Sequence, residues 1–419
     1  MATTVRGGVR GGVRGGVRQG ERGDRGRWGL LALVSIAHAL GAISVLAVAP
    51  LAPLLLEDLQ LTRTQVGLFL PAIYLGGVVM SLPAGWLTDR LGARLTLAAG
   101  QCLTGGMIAL AARAQGLPLM LGLLFLAGLG WAVVNPTTGK AILERFPARE
   151  RGFAMGVKQT GLTVGGIVAS LTLPSIALVT GWRHALTVAA LASLAAAAAV
   201  LAGMRRDGGT AIIAGVERAR FGELGRFFTT RSLPVLLAAG LALGMTQASV
   251  LAYLALYARE TLGWTVVAAG TLLALTQAGG TGGRLGWGLI SDRLFGGRRR
   301  PCVIINSLIG TLTYLIFASG VGLPAPAAAL VAFVAGVGAF GWVGLYLALA
   351  AEVGGHRYAG LLTGVAVSCA WSGVLLGPPF FGFLREATGS YHAPWLALAA
   401  LSVGAAAALQ SIPPLVKRE

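Results

Sequence analysis

The sequence predicts an all-α membrane protein with twelve transmembrane helices in two pseudo-symmetric six-helix bundles. Three observations carry that expectation. Hydrophobic residues make up 55% of the 419 residues and charged residues only 11%, against about 25% charge in a typical soluble domain. The apolar residues gather in runs of about 20, the length a helix needs to cross a bilayer. A polar loop pattern recurs roughly half a chain later. The composition excludes a water-soluble enzyme of this length, and the nearly continuous apolar runs exclude disorder for most of the chain.

The runs fall at 29–51, 64–87, 94–113, 117–142, 152–176, 183–204, 233–258, 264–290, 301–321, 325–350, 360–384 and 393–413. Gly and Pro are frequent inside them, as in membrane helices, where neighbouring helices satisfy freed backbone groups. None alternates with a period of two, which argues against an outer-membrane barrel. Orientation follows from charge. With the N-terminus in the cytoplasm, 25 of the 33 basic residues lie on the cytoplasmic side. Five lie outside (Arg63, Arg113, Arg183, Arg259, Arg385), and three fall within helices. That is a strong positive-inside bias, and an even helix count puts both termini in the cytoplasm of a cell-membrane protein. The net charge of +18 is therefore read as a topology signal and not as a nucleic-acid footprint.

The domain reading follows. Residues 1–27 repeat Gly-Gly-Val-Arg at 7–10, 11–14 and 15–18. Such a Gly-rich basic tail cannot form a core and is predicted to be disordered. The first bundle spans 28–204, a cytoplasmic linker 205–231, the second bundle 232–413, and a short tail 414–419. Cys102, Cys302 and Cys369 lie far apart in apolar stretches, as small core residues with no disulfide or metal spacing.

The repeated loops read Gly85-Trp86-Leu87-Thr88-Asp89-Arg90-Leu91-Gly92-Ala93-Arg94 and Gly288-Leu289-Ile290-Ser291-Asp292-Arg293-Leu294-Phe295-Gly296-Gly297-Arg298. A second echo links Gly161…Gly165-Gly166 with Gly373…Gly377-Pro378. These residues resemble the major facilitator superfamily, whose signature loop G-x-L-x-D-R-x-G-R-[RK] joins helices 2 and 3, with a weaker copy between 8 and 9. The first copy departs at Ala93, and the second carries an extra residue before Gly296. The resemblance covers roughly residues 28–413. It implies a secondary transporter that works by alternating access between two bundles. It also implies a gating role for Gly85, Asp89, Arg90, Gly92 and Arg94, and for Asp292 and Arg293. Charge-assisted contacts there would hold one conformation and release in another.

Departures from the family's variants narrow the function. Proton-driven drug exporters often carry R-x-x-x-G-x-G in helix 4. Here Gly128 and Gly130 match, but Leu124 stands at the arginine position. Antiporters often carry G-x-x-x-G-P-x-x-G-G in helix 5, where this chain has Gly166 for the proline.

Charge inside the helices narrows it further. None of the fifteen acidic residues lies in the middle of a predicted helix. A carrier of cations needs a cavity carboxylate. Three basic residues do enter helices: Lys140, Lys158 and Arg284. Lys140 is near a helix end and can snorkel to headgroups. Lys158 lies about two turns into helix 5, with Gly161 and Gly165 on its face. Arg284 shares a polar stripe of helix 8 with Thr281 and Gln277. The bland alternative for Arg284 is an ion pair with Asp292. A buried charge costs about 2.5–3.5 kcal/mol at a helix centre, and an anionic substrate would supply the missing countercharge. Carboxylate and nitrate carriers of the superfamily resemble this arrangement, with a cavity arginine in helix 8.

The sequence thus predicts a carrier of a small organic anion, a mono- or dicarboxylate, held by Lys158 and Arg284. Asn135, Gln277, Gln247, Tyr346 and Trp342 are supporting candidates. His38, the one histidine well inside a predicted helix, is the proton-coupling candidate. An exporter of drugs or neutral hydrophobic metabolites, or a nitrate- or cyanate-like anion carrier, are the alternatives. Tyr74, Gln159, Tyr253, Ser368 and Trp371 are further polar or aromatic residues within helices. No catalytic residue, cofactor or metal is expected, and no G-x-x-x-x-G-K-[ST] loop is present to bind ATP. The expected partners are the anion and membrane lipid, with no nucleic acid, and the protein is expected to be a monomer. The charge bias makes a direct prediction: a cysteine at position 218, in a chain lacking its native cysteines, stays unlabelled by an impermeant thiol reagent in intact cells. Labelling from outside would invert the topology.

Overall fold

In lipid every backbone N–H and C=O must be satisfied within the protein, so apolar spans fold as helices. The computed structural model describes residues 13–204 and 232–412, and its regular structure there is helical. The helices are α1 (Val13–Leu46), α2 (Val48–Asp58), α3 (Arg63–Val66), α4 (Phe69–Ala111), α5 (Leu117–Ala132), α6 (Val134–Arg145), α7 (Ala148–Thr180) and α8 (Trp182–Gly203). In the second half they are α9 (Ser232–Glu260), α10 (Val266–Arg293), α11 (Arg299–Ala318), α12 (Ala325–Phe340), α13 (Trp342–Thr388) and α14 (His392–Gln410). Ten described segments are long and apolar enough to cross a membrane.

These pieces assemble into the twelve predicted crossings once two kinds of break are separated. The first reverses the chain. In α4 the backbone turns at Gly92, with φ 80° and ψ 159°, and in α13 at Gly355, with φ 58° and ψ −175°. A positive φ of that kind favours glycine, which lacks a Cβ to clash. Gly92 is the glycine of the signature loop, so the motif is the turn itself. The second kind leaves the chain running on through one crossing. Pro50 cannot donate to the Leu46 carbonyl, nor Pro136 to that of Ala132, and the helix breaks at Ala47 and at Val133. A third break falls at Gly341 between α12 and α13. The breaks at Val133 and Gly341 occupy matching crossings of the two halves.

At its N-terminal end α1 runs into the segment expected to be disordered, starting at Val13. The Arg, Gln and Glu residues there are good helix formers, and extending a helix already nucleated by an apolar span costs little. Residues 1–12, the linker 205–231 and the tail 413–419 lie outside the described residues.

The core divides along the molecule. At the end bearing Arg63, one apolar cluster spans both halves. It joins Leu51, Leu55, Val66 and Phe69 to Tyr253, Tyr257, Phe381 and Trp395. Toward the Asp89 end the core splits. One cluster holds Leu97, Ile142, Phe146 and Val200 of the first half. The other holds Leu236, Trp287, Trp342 and Leu409 of the second. Close helix approach rests on reciprocal glycines. A side chain at Gly128 would meet the Ile73 carbonyl, and one at Gly336 the Thr276 carbonyl, so the same pairing recurs in each half. Large apolar side chains such as Val179, Leu294 and Leu330 face outward, where lipid is the solvent.

Polar contacts tie the halves together at the Arg63 end. Arg63 pairs with Glu260 at 3.2 Å, and Glu260 also takes Arg385 at 3.6 Å and the Tyr391 hydroxyl at 3.2 Å. Thr64 donates through Oγ1 to Glu386 at 2.7 Å, and the Tyr253 hydroxyl donates to the Arg63 carbonyl at 2.6 Å. The structure is therefore sealed at this end. Glu260→Gln removes the charge shared by three donors and should favour separation there. Spin labels at positions 113 and 319 should show a longer-distance population, and an unchanged distribution would make the network incidental.

Candidate functional site

The site is assembled by the broken crossings. At the Val133 break, Trp131 and Asn135 lie about one turn apart on either side. Asn135 Oδ1 accepts from Lys158 Nζ at 2.7 Å, and Gln159 Oε1 accepts from the same ammonium at 3.1 Å. Lys158 is only 2% exposed. Its two partners are neutral amides, so its charge is oriented but not cancelled.

α1 is pressed onto α7 at Gly161 and Gly165, where added side chains would meet the Ser35 and Ala39 carbonyls. This brings His38 beside Lys158. The imidazole is buried, packs on the Trp131 ring at 5.3 Å, and its Nδ1 has no hydrogen-bond partner. Lys158 and Arg284 both act on it electrostatically.

Arg284 enters from the second half. Its Nε donates to the Phe340 carbonyl at 3.2 Å, at the end of α12 where the helix breaks and carbonyls lose their regular partners. That contact holds the guanidinium through its Nε. Arg284 interacts electrostatically with Tyr74. The Tyr74 ring meets Trp371 of the other half edge-on at 5.7 Å. Two cations, one from each half, thus both act on His38, and neither has a carboxylate bound to it among the described residues. Such a site can hold an anion: Arg offers a planar two-pronged grip and Lys a point charge.

The other candidates separate. Gln277 donates to Ser170 Oγ at 3.0 Å across the halves. Gly166 lies beside it with no room for a side chain, which accounts for glycine at the proline position of the antiporter pattern. Trp342 donates to the Ala339 carbonyl at 2.9 Å and Tyr346 to the Ala366 carbonyl at 3.3 Å, and both are buried in the second-half core. Gln247 retains a buried Oε1 without a partner. Sequence reading passed over Trp131, the Phe340 carbonyl and Glu260. Pro136 was the available signal for the first of these.

The loop residues lie at the Asp89 end. Lys140 pairs with Asp89 at 2.8 Å, so its ammonium is engaged by the loop and does not snorkel to headgroups. Arg90 lies over Trp86 at 5.2 Å, and Arg94 donates to the Leu201 carbonyl. In the second half Arg299 takes Asp292 at 2.6 Å and Ser291 Oγ at 2.9 Å. Asp292 is thus engaged by Arg299 while Arg284 is engaged by Phe340. A side chain at Gly85 would meet no neighbour, and Arg293 is exposed. These ion pairs stay within their own halves.

A sequence profile of the Major Facilitator Superfamily matches residues 34–378. The chain belongs to this superfamily. Among its relatives is an uncharacterized MFS-type transporter of Mycobacterium tuberculosis, 28% identical over 247 residues, 58% of this chain and 54% of that protein. The chain thus spans about half the length of this relative. A probable sulfoacetate transporter of Cupriavidus necator is 29% identical over 34% of this chain and 33% of its own length. Human monocarboxylate transporter 11 is 28% identical over 74% of this chain and 66% of its own. The fold matches the solved nucleoside transporter NupG with a TM-score of 0.79, at 14% identity, over 91% of this chain and 99% of that one. The chain is thus a multi-pass membrane protein of this superfamily.

The loop geometry carries a test. Asp89→Asn removes the charge that Lys140 pairs with at the rim. It should slow transport several-fold while leaving substrate affinity within about twofold of wild type, because Asp89 is 71% exposed and pairs with Lys140, not with Lys158 or Arg284. Equal loss of affinity and rate would place Asp89 in the site.

Proposed function

We propose that this transporter moves a small organic anion of the mono- or dicarboxylate type across the cell membrane by alternating access, with both termini cytoplasmic. One observation carries the reading. Lys158 and Arg284, from opposite halves, both act on His38 and are held by neutral acceptors, with no carboxylate bound to either among the described residues. A buried ion without a countercharge is costly, so a bound carboxylate both gains two charge-assisted contacts and relieves the protein. An anion that bridges the two side chains draws the halves together, so occupancy favours closure. Relatives named for sulfoacetate and monocarboxylates support the same substrate class. Asn135 orients the ammonium, and the Tyr74–Trp371 pair offers an apolar surface to the body of the substrate.

The sealed Arg63 end fits one limiting state of such a cycle, with the Glu260 network parting in the other. Asp89 and Asp292 stand at the opposite rim, where rearranged ion pairs would accompany closure.

The reading is tested by binding to detergent-purified variants, with lactate, succinate and glucuronate as probes. Lys158→Ala and Arg284→Ala should each lose about 1.5–3 kcal/mol of binding, the range for a charged hydrogen bond. Arg284→Lys should fail to restore it, because an ammonium cannot reproduce the planar grip, whereas Lys158→Arg should be milder. Wild-type affinity in both alanine variants would reject the anion clamp and favour a carrier of neutral compounds.

A further inference from the structure

Two of the breaks within crossings are followed three residues later by proline: Pro50 after Ala47, and Pro136 after Val133. A proline there withholds the amide that a continuous helix would give to the carbonyl four residues back. The break at Gly341 matches the one at Val133, but the residue three places on is Gly344, which has an amide to give. This crossing is kept broken by something other than proline.

The carbonyls at the break identify it. The Gly341 amide donates to the Val337 carbonyl at 3.0 Å and closes α12. The next three carbonyls each accept from a side chain. Asn306 Nδ2 donates to Gly338 at 2.8 Å, Trp342 Nε1 to Ala339 at 2.9 Å, and Arg284 Nε to Phe340 at 3.2 Å. In an unbroken helix the same carbonyls would take the amides of Trp342, Val343 and Gly344. Asn306 reaches the break from α11 and is 0% exposed. One turn on from it, Gly310 is pressed against Gly338, where an added side chain would meet the Gly310 Cα at 2.6 Å. A side chain at Gly341 would meet Asn306 Oδ1 at 2.7 Å. The Asn306 amide is thus wedged between Gly338 and Gly341, at the first carbonyl of the break.

We propose that Asn306 is a positioning residue for the anion site: by holding the Gly338 carbonyl it keeps the crossing broken, so that the Phe340 carbonyl stays available to Arg284. Its effect on affinity rests on the anion-carrier reading, and its effect on the helix does not. Without the Asn306 amide, the buried Gly338 carbonyl needs another donor. The Trp342 amide is the one that helical geometry offers. Accepting it extends α13 backwards, and adding residues to an existing helix costs little. Rewinding then brings the Gly344 amide to the Phe340 carbonyl, in competition with Arg284 Nε. At the equivalent carbonyl of the first half, that of Ala132, Pro136 makes such competition impossible.

The test combines Asn306→Leu, which is close in size and has no donor, with Gly344→Pro. The proline withholds the competing amide and stands where Pro136 stands in the first half. A side chain at Gly344 would meet no neighbour, and the position lies in the first turn of α13, where proline is tolerated. Two quantities are measured on the detergent-purified full chain. One is the affinity for lactate, succinate and glucuronate. The other is the distance between spin labels at positions 330 and 351, on either side of the break, in a chain lacking its native cysteines. Asn306→Leu should weaken binding about tenfold, as expected when a charged hydrogen bond is lost, and should change the label distance as the crossing rewinds. Adding Gly344→Pro should return both to near wild type, which a loss of packing at Asn306 would not allow. In an Arg284→Ala background, Asn306→Leu should cost no further affinity, because the two act through one contact. Asn306→Ala makes the same comparisons if leucine does not fit the site. Wild-type affinity or an unchanged distance in the Asn306 variant, or losses that Gly344→Pro does not restore, overturn the proposal and leave the anion-carrier reading standing. No binding of any of the three acids by the wild type, together with no uptake of them into proteoliposomes, overturns that reading and the effect on affinity with it. The label distances then decide by themselves whether Asn306 holds the break.

Discussion

Two positive charges within the helices, the buried Lys158 and the half-buried Arg284, neither with a carboxylate bound to it among the described residues, are the constraint around which the molecule is arranged. Lys158 is held by two amide oxygens and Arg284 by a main-chain carbonyl. Neutral acceptors orient a cation without consuming its charge. Four acidic residues are engaged at the two ends of the molecule. Glu260 and Glu386 close the Arg63 end, while Asp89 and Asp292 are paired at the opposite rim. On the proposed reading, this segregation gives a ligand of opposite charge something to complete.

The breaks in the helices serve that centre. Pro136 frees the turn that presents Asn135 to Lys158, and the Gly341 break exposes the Phe340 carbonyl that holds Arg284. An unbroken helix would have used both turns for its own hydrogen bonds. Because the breaks occupy equivalent crossings, each half contributes one cation and one device that aims it. The same two halves share a continuous apolar core at one end and have separate cores at the other. Such a division suits a rocking motion about a site near the middle.

The fold was largely legible in the sequence, because long apolar runs and an asymmetric charge distribution are strong signals in a membrane. The signature loop was legible for a related reason: Gly92 adopts a backbone conformation that other residues reach only with strain. The chemistry of Lys158 and Arg284 was visible as charge where charge is expensive. What stayed hidden were the contacts that depend on three-dimensional proximity. Nothing in the spacing of Gln277 showed that it would bond Ser170, or that Trp342 and Tyr346 would spend their polar atoms on carbonyls. Lys140 read as a snorkelling side chain because its partner, Asp89, is far away in sequence. The helical start at Val13 was missed because a Gly-rich composition outweighed the pull of the adjoining span.

The most direct measurement of the central claim is uptake into proteoliposomes containing the purified wild-type protein, comparing a carboxylate with its neutral amide of the same shape. Lactate and lactamide form one such pair, and succinate and succinamide another. The two members of each pair match in size and apolar surface and differ in the charge that Lys158 and Arg284 would hold. The account predicts protein-dependent uptake of at least one carboxylate, with its amide neither transported nor competing for it. Equal uptake of an amide and its acid would show that the two cations do not select the substrate, and would contradict the account at its foundation.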